Sequence, residues 1–151
     1  MIEIHTQEKF PNLPETDILV ETARQVLAIT NTPAESGISL RLTTDEEMQE
    51  LNHQHLGTND PTDVLSFPIP FNDPETGAPY LGDILISVPT AARQAEIAGH
   101  SLEDEIRLLI VHGILHLLGH DHSTPEEKVV MWEIQDMLLQ KLGISARPTE
   151  L

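Results

Sequence analysis

The stretch Ser101-Leu-Glu-Asp-Glu-Ile-Arg-Leu-Leu-Ile-Val-His112-Gly-Ile-Leu-His116-Leu-Leu-Gly-His-Asp-His122 decides how the rest of the chain is read. Its first part is helical by local criteria. Ser101 is an N-cap residue, Glu103, Asp104 and Glu105 put negative charge where the helix dipole favours it, and Ile106, Leu109, Ile110, Gly113 and Leu117 recur as an apolar stripe. The stripe buries the helix on at least one side, so His112 and His116 stand beside a core. Four residues apart, they share a helix face with roughly 6 Å between them along the axis, and two imidazoles so placed can share one ion. Gly119 follows as a natural C-cap, where the chain can enter a left-handed conformation and bring His122 to the same ion from a third direction. His120 is the alternative to His122 and is read as unliganded. Three imidazoles around zinc leave a fourth tetrahedral position for water or substrate, as in a catalytic rather than a closed structural site.

Composition agrees with a functional metal. A chain of 151 residues buries roughly two thirds of its unfolded surface without needing a structural ion, and is expected to form a single domain over residues 1–151. The absence of cysteine fits a reducing cytoplasm and leaves His and carboxylate as the only ligands for a transition metal. The first residues carry neither a basic segment nor an apolar run, and no window approaches the roughly 20 apolar residues of a membrane span, so a soluble cytoplasmic protein is expected. Eight cations against 25 anions give a formal net charge of -17. Broad phosphate neutralisation by such a surface is excluded; an acidic face suits docking onto basic proteins, and a partner rather than this domain alone is expected to deliver any nucleic acid.

Outward from the central helix, the chain alternates short strands and helices. Residues 2–6 and 38–42 alternate as strands, and between them Ile18, Leu19, Ala23, Val26 and Leu27 mark a helix over Asp17 to Ile29. Thr44 with Glu47 is a capping box for a helix carrying Met48 and Leu51 inward. Asn59-Asp60-Pro61 signals a turn, and residues 63–67 form an apolar strand ended by Pro68 and Pro70. Residues 68–80 are expected to be an exposed connecting loop. A strand over 83–88 and a helix opened by Pro89 lead to the central helix, and Thr124-Pro125-Glu126-Glu127 opens a last helix to about Leu142, with Val130, Trp132, Ile134, Met137 and Leu138 turned inward as core. Ile144 to Leu151 are expected to fray. The order β-α-β-α-β-β-α-α-α gives an α+β fold: a small mixed sheet of about four strands with about five helices packed on it and the metal site at the C-terminal end of the central helix.

The spacing His-x3-His-x2-Gly-x2-His is shared with metzincin proteases, but Gly113 stands where those carry a catalytic Glu, so a peptidase reading loses its base. A glycine inside a helix costs about 1 kcal/mol relative to alanine, which suggests that a ligand or another part of the chain comes close there. With Pro61-Thr62-Asp63-Val64-Leu65-Ser66-Phe67-Pro68 upstream and Gly82-Asp83-Ile84 between, the chain resembles the bacterial YbeY family, metal-dependent endoribonucleases and rRNA maturation factors, over about residues 35 to 142. The resemblance implies a zinc-dependent, single-strand-specific endoribonuclease with one Zn2+ per chain held by His112, His116 and His122, nickel being an alternative that imidazole also suits. His112 and His116 would act in catalysis through metal-activated water. It implies as partners a single-stranded rRNA precursor and the small ribosomal subunit or its basic proteins.

One departure stands out. The family's Asn-x2-Tyr-Arg-Gly block reads Asn52-His53-Gln54-His55-Leu56-Gly57 here, so neither the tyrosine nor the arginine role carries over. Arg41 is the first candidate substitute and Arg93 the next, and His53 or His55 can donate when protonated. Asp121 either orients a ligand imidazole or forms a turn. Ser66 lacks a nucleophile elbow, and Thr62, Asp63 and Ser66 are expected to shape the cleft floor. The loss of the arginine also favours a second reading: a ribosome-associated maturation factor that keeps the metal but has little nuclease activity.

Overall fold

The computed structural model describes residues 1–6, 9–56 and 62–146, and the backbone alone for residues 55 and 56. Among them run β1 (Ile2–Thr6), α1 (Thr16–Ile29), β2 (Gly37–Thr43), α2 (Asp45–Leu56), β3 (Val64–Asn72), β4 (Pro79–Ser87), α3 (Val88–Ala98), α4 (Leu102–Leu117) and α5 (Pro125–Leu142). This is the element order read from the sequence. The expected turn at Asn59-Asp60-Pro61 lies outside the described residues.

The four strands form one mixed sheet in the order β1-β2-β4-β3, parallel at the β1/β2 and β2/β4 pairs and antiparallel at β3/β4. Side chains alternate across it as a pleat requires. Ile38, Leu40, Leu42, Ile84 and Ile86 face a core completed by α1, α3, α4 and α5, while Leu65 and Leu85 turn to the other face and pack on Met48 of α2. Ten of the residues of α4 are buried, including Ile106, Ile110 and Ile114. A helix apolar on nearly every side belongs inside a domain, and α4 is enclosed by the sheet, α1, α3 and α5. No helix among the described residues is long and apolar enough to cross a membrane.

Two expectations give way here. Residues 68–80 are not a loop: β3 continues through Pro68 and Pro70 to Asn72 and pairs with β4, leaving only residues 73–78 as the hairpin tip. Proline is tolerated because β3 is an edge strand, so a missing N–H costs no ladder bond on its open side, and the register shifts between Pro68 and Phe71. The inward face of α5 is also rotated. Met131, Gln135, Leu138 and Leu139 are buried, Trp132 and Ile134 partly so, and Val130 and Met137 are exposed. Beyond the helix Ile144 is not frayed; it sits in the core.

The caps form as read. Ser101 Oγ accepts from the Asp104 N–H at 3.1 Å, Thr124 Oγ1 from that of Glu127 at 3.1 Å, and Thr44 Oγ1 from that of Glu47 at 3.2 Å. The Glu47 carboxylate does not reach back to complete its box; Arg41 and Thr43 take it instead.

Two glycines let α4 lie close on the sheet. A Cβ at Gly113 would meet Ile84 Cγ2 at 2.9 Å and Ser66 Oγ at 3.2 Å, which explains a glycine inside this helix: the sheet comes close, and Ser66 Oγ donates to the Gly113 carbonyl at 3.2 Å. Gly82 has φ +148°, and a Cβ there would lie 2.3 Å from the Phe67 carbonyl and 2.9 Å from Leu117 Cδ2. Neither a left-handed backbone nor a backbone oxygen yields easily, so Gly82→Ala should lower stability by about 2 kcal/mol or more. A urea unfolding midpoint equal to that of the wild type would show that the β3/β4 pair relaxes around the methyl group.

Candidate metal centre

The last turn of α4 delivers two histidines, and the exit from the helix delivers the third. The Gly119 N–H donates to His116 O at 3.0 Å and the His120 N–H to Leu115 O at 3.0 Å, with Gly119 at φ +100°. That is a Schellman ending, and the glycine meets its conformational demand. The turn is secured by Asp121, which accepts from the backbone N–H of His122 at 2.7 Å and from the Ser123 hydroxyl; these bonds, Ser123 first, hold its carboxyl below the usual range. Asp121 thus acts on the backbone that carries His122, and it lines the cleft described below.

His112, His116 and His122 come together so that one ring nitrogen from each lies within 4.8 Å of the others. The Nε2 atoms of His112 and His116 are 3.2 Å apart. Tetrahedral bonds of about 2.0–2.1 Å to an ion such as zinc put two ligand nitrogens about 3.3 Å apart, so the pair fits one ion. His120 is not part of this group.

The protonation pattern suits ligation. His112 Nδ1 lies 2.8 Å from the carbonyl oxygen of Gln135, which can only accept, so Nδ1 carries the proton and Nε2 presents its lone pair to the cluster. Gln135 is 1 % exposed, and its position is fixed by α5 packing. Burial, with the charges of His112 and His122, lowers the His116 pKa to about 4, so its imidazole is neutral at physiological pH. The donor set therefore fits a divalent transition-metal ion, with no cysteine to displace water from the remaining position.

The cluster opens onto a cleft of about 650 Å3 between α4, β3, α3 and α5. Thr62, Asp63 and Ser66 line it from the β3 side. Trp132 lines it too, with its ring centroid 5.6 Å from that of His112 and 5.7 Å from that of His122, and Lys128 Nζ 5.8 Å from the indole centroid. Gln135 and Trp132 were missed in the sequence. The apolar pattern of α5 points to Trp132 as core, and the one signal for Gln135 is a glutamine at the i+4 position from Met131 on an otherwise apolar helix face.

Neither arginine candidate reaches the histidines. Arg41 lies on β2, donates to Glu47 at 2.8 and 3.2 Å, and lines a separate cavity with Ser39, Leu51, Phe67 and Asp83. Arg93 is exposed on α3 and pairs with Asp45 at 3.0 Å. His53 is exposed on α2, and the side chains of His55 and Leu56 lie outside what the structure describes.

Fold and cluster together define an α+β domain in which three histidines beside a cleft could hold a metal ion. The sequence matches the family model described as endoribonuclease YbeY over residues 2–143. Relatives named endoribonuclease YbeY include one from Shouchella clausii, 38% identical over 152 residues and covering 95% of both chains. Another, from Salinispora tropica, is 42% identical over 135 residues, covering 83% of this chain and 86% of its own. The chain belongs to the endoribonuclease YbeY family. The solution structure of TM1509 from Thermotoga maritima has a similar fold, with a TM-score of 0.62 at 25% identity over 94% of this chain and 89% of that one.

Replacing Gln135 by Leu should weaken metal binding about 10- to 100-fold in a chelator competition, since the His112 ring loses the acceptor that sets its tautomer. An unchanged affinity would remove Gln135 from the site. The metal-free protein should also lose stability as pH falls. His116 titrates at about 4 when folded against 6.5 when unfolded, so between those values the unfolded chain binds the extra proton; the contribution is complete above about 6.5 and disappears towards 4. Urea midpoints at pH 7.5 and 5 should differ less in His116→Gln than in the wild type.

Proposed function

We propose that this protein is a zinc-dependent, single-strand-specific endoribonuclease of the cytoplasm, a single domain over residues 1–151 that acts in rRNA maturation and ribosome quality control on the small ribosomal subunit. The observation that carries the proposal is the convergence of three imidazole nitrogens, within 4.8 Å of one another, at the wall of a cleft large enough for a nucleotide. Family membership supports RNA as the substrate.

In this reading His112, His116 and His122 hold the ion. When bound, the ion supplies a Lewis acid for a phosphoryl oxygen and a hydrolytic nucleophile near neutral pH. Gln135 holds the His112 ring with its Nε2 directed inward, and burial keeps His116 unprotonated. Asp121 holds the turn that carries His122. Thr62, Asp63 and Ser66 form the floor on which the substrate lies, and the Ser66 hydroxyl is committed to the Gly113 carbonyl rather than to any nucleophilic role.

Phosphate needs a cation, and the family arginine is replaced by Leu56. Arg24, Arg41, Arg93 and Arg107 each pair with a carboxylate, and Arg41 is held away from the cleft. Lys128, one helical turn before Trp132 and set over its ring, takes the phosphate-facing role in this reading. The same shortage of cations favours the second reading, a metal-bearing maturation factor with little nuclease activity that docks its acidic surface on basic ribosomal proteins. A metzincin-like peptidase has no support, because the base would stand at residue 113, where Ile84 and Ser66 leave no space.

Metal analysis and cleavage of an unstructured RNA, run on one preparation, test the reading. Chelation or His116→Ala should abolish cleavage with the fold intact, Lys128→Ala should slow it several-fold with a shallower salt dependence, and Leu56→Arg should speed it. A zinc-loaded protein that copurifies with ribosomal particles and leaves RNA uncut would establish the second reading instead.

A further inference from the structure

The charge of the chain leaves RNA binding short of its usual source. Cations number 8 against 25 anions, and among the described residues no lysine or arginine lines the cleft. Affinity from phosphate neutralisation is therefore scarce. The other general source is the face of an unpaired base, which stacks on an aromatic side chain without needing any charge and raises affinity by about tenfold per base.

Apart from its histidines, the cleft is lined by two aromatic side chains, Phe67 and Trp132. Phe67 packs against Met48, Leu65 and Leu85 under α2. Trp132 is placed differently. It lies at the margin of the α5 face that carries Met131, Gln135 and Leu138 into the core, and it is only partly buried. Its ring centroid is 5.6 Å from that of His112 and 5.7 Å from that of His122. Both imidazoles meet the indole at steep angles, 76° and 64°, so neither lies flat along it. Lys128 Nζ, 5.8 Å from the indole centroid, is near the outer limit of about 6 Å for a cation held by a ring, and its flexible stem lets it turn to a phosphate and clear the indole. Val64, Leu108 and Leu109 add apolar lining to the same cleft, which suits the flat body of a base better than a sugar or a phosphate. A strand whose phosphodiester sits at the histidines thus brings its neighbouring base to a ring that stands beside two of the three.

We propose that Trp132 is a stacking platform for the base beside the scissile phosphodiester, and that through it the cleft selects unpaired strands. A base inside an A-form helix is paired and stacked on its neighbours, so only a base free of a duplex offers a face to the indole. Trp132 is then the residue that determines single-strand specificity, and it tolerates any base because each has a π face. The inference rests on the cleft being the place of RNA cleavage and gives that reading the source of its preference for single strands.

Trp132 is the only tryptophan of the chain, so its fluorescence reports the contact itself. Two labelled probes carry the same phosphates and differ only in their bases: a single-stranded hexamer of deoxyadenosine and an abasic deoxyribose-phosphate hexamer. The zinc-loaded protein should bind the base-bearing strand about tenfold more tightly by fluorescence anisotropy. An unlabelled copy of that strand should quench Trp132, and the abasic strand should not. The ratio should be the same at low and high salt, since stacking releases no counterions. Trp132→Leu should bring the probes within about twofold by weakening the base-bearing strand alone, and Trp132→Phe should restore most of the ratio. Equal binding of the two probes by the wild type, or a ratio that persists in Trp132→Leu as a merely structural role would leave it, overturns the proposal. Base-dependent binding with quenching by a protein that cuts no RNA would leave the platform standing and remove the nuclease reading; cleavage of unstructured RNA by a protein that binds both probes equally would do the reverse.

Discussion

The closeness of α4 to the sheet is the constraint on which the rest depends. Gly113 lets the helix settle against Ile84 and Ser66, and Gly82 lets β4 pass between Phe67 and Leu117. With that contact made, α4 is enclosed by apolar residues for most of its length, and its orientation is set by close packing that tolerates little displacement. The histidines at its end inherit that rigidity. A metal centre whose ligands must lie within a few tenths of an ångström of one geometry is better placed on such a helix than on a loop.

The same enclosure sets the chemistry. Burial makes the charged form of His116 unfavourable, and an imidazole that stays neutral is one that can ligate. It also requires buried polar groups nearby to find partners, which Gln135 does with His112 and Glu105 does with His100. Gln135, His112 and Glu105 line one cleft. Their positions follow from the packing of α3 and α5 on α4, and a cleft with cationic surroundings is not among the outcomes: the described arginines are engaged with carboxylates.

Much of this was legible along the chain, and the failures have physical causes. The element order, the caps at Ser101 and Thr124 and the glycine exit at Gly119 are local events, decided by a few neighbouring residues. The prolines at 68 and 70 misled because whether proline ends a strand depends on which edge of a sheet it lies on, and a chain does not declare its edges. The face of α5 was misjudged because Val130 and Met137 compete with Met131 and Leu139 for the same periodicity. Burial of Gln135 against His112 decides between them, and a glutamine carries no apolar signal. Arg41 looked available because its partner, Glu47, comes from a helix on the far face of the sheet.

The sequence by itself determined the α+β class and the meeting of three histidines, since residues at i and i+4 of one helix followed by a glycine turn are brought together by backbone geometry alone. Only the tertiary structure decided the strand order, the partners of those histidines and the cleft beside them. Gln135 lies 23 residues from His112, and Ser66 lies 47 from Gly113. Contacts at that separation are selected by how helices and sheet exclude water together, a cooperative outcome that no local window of residues contains.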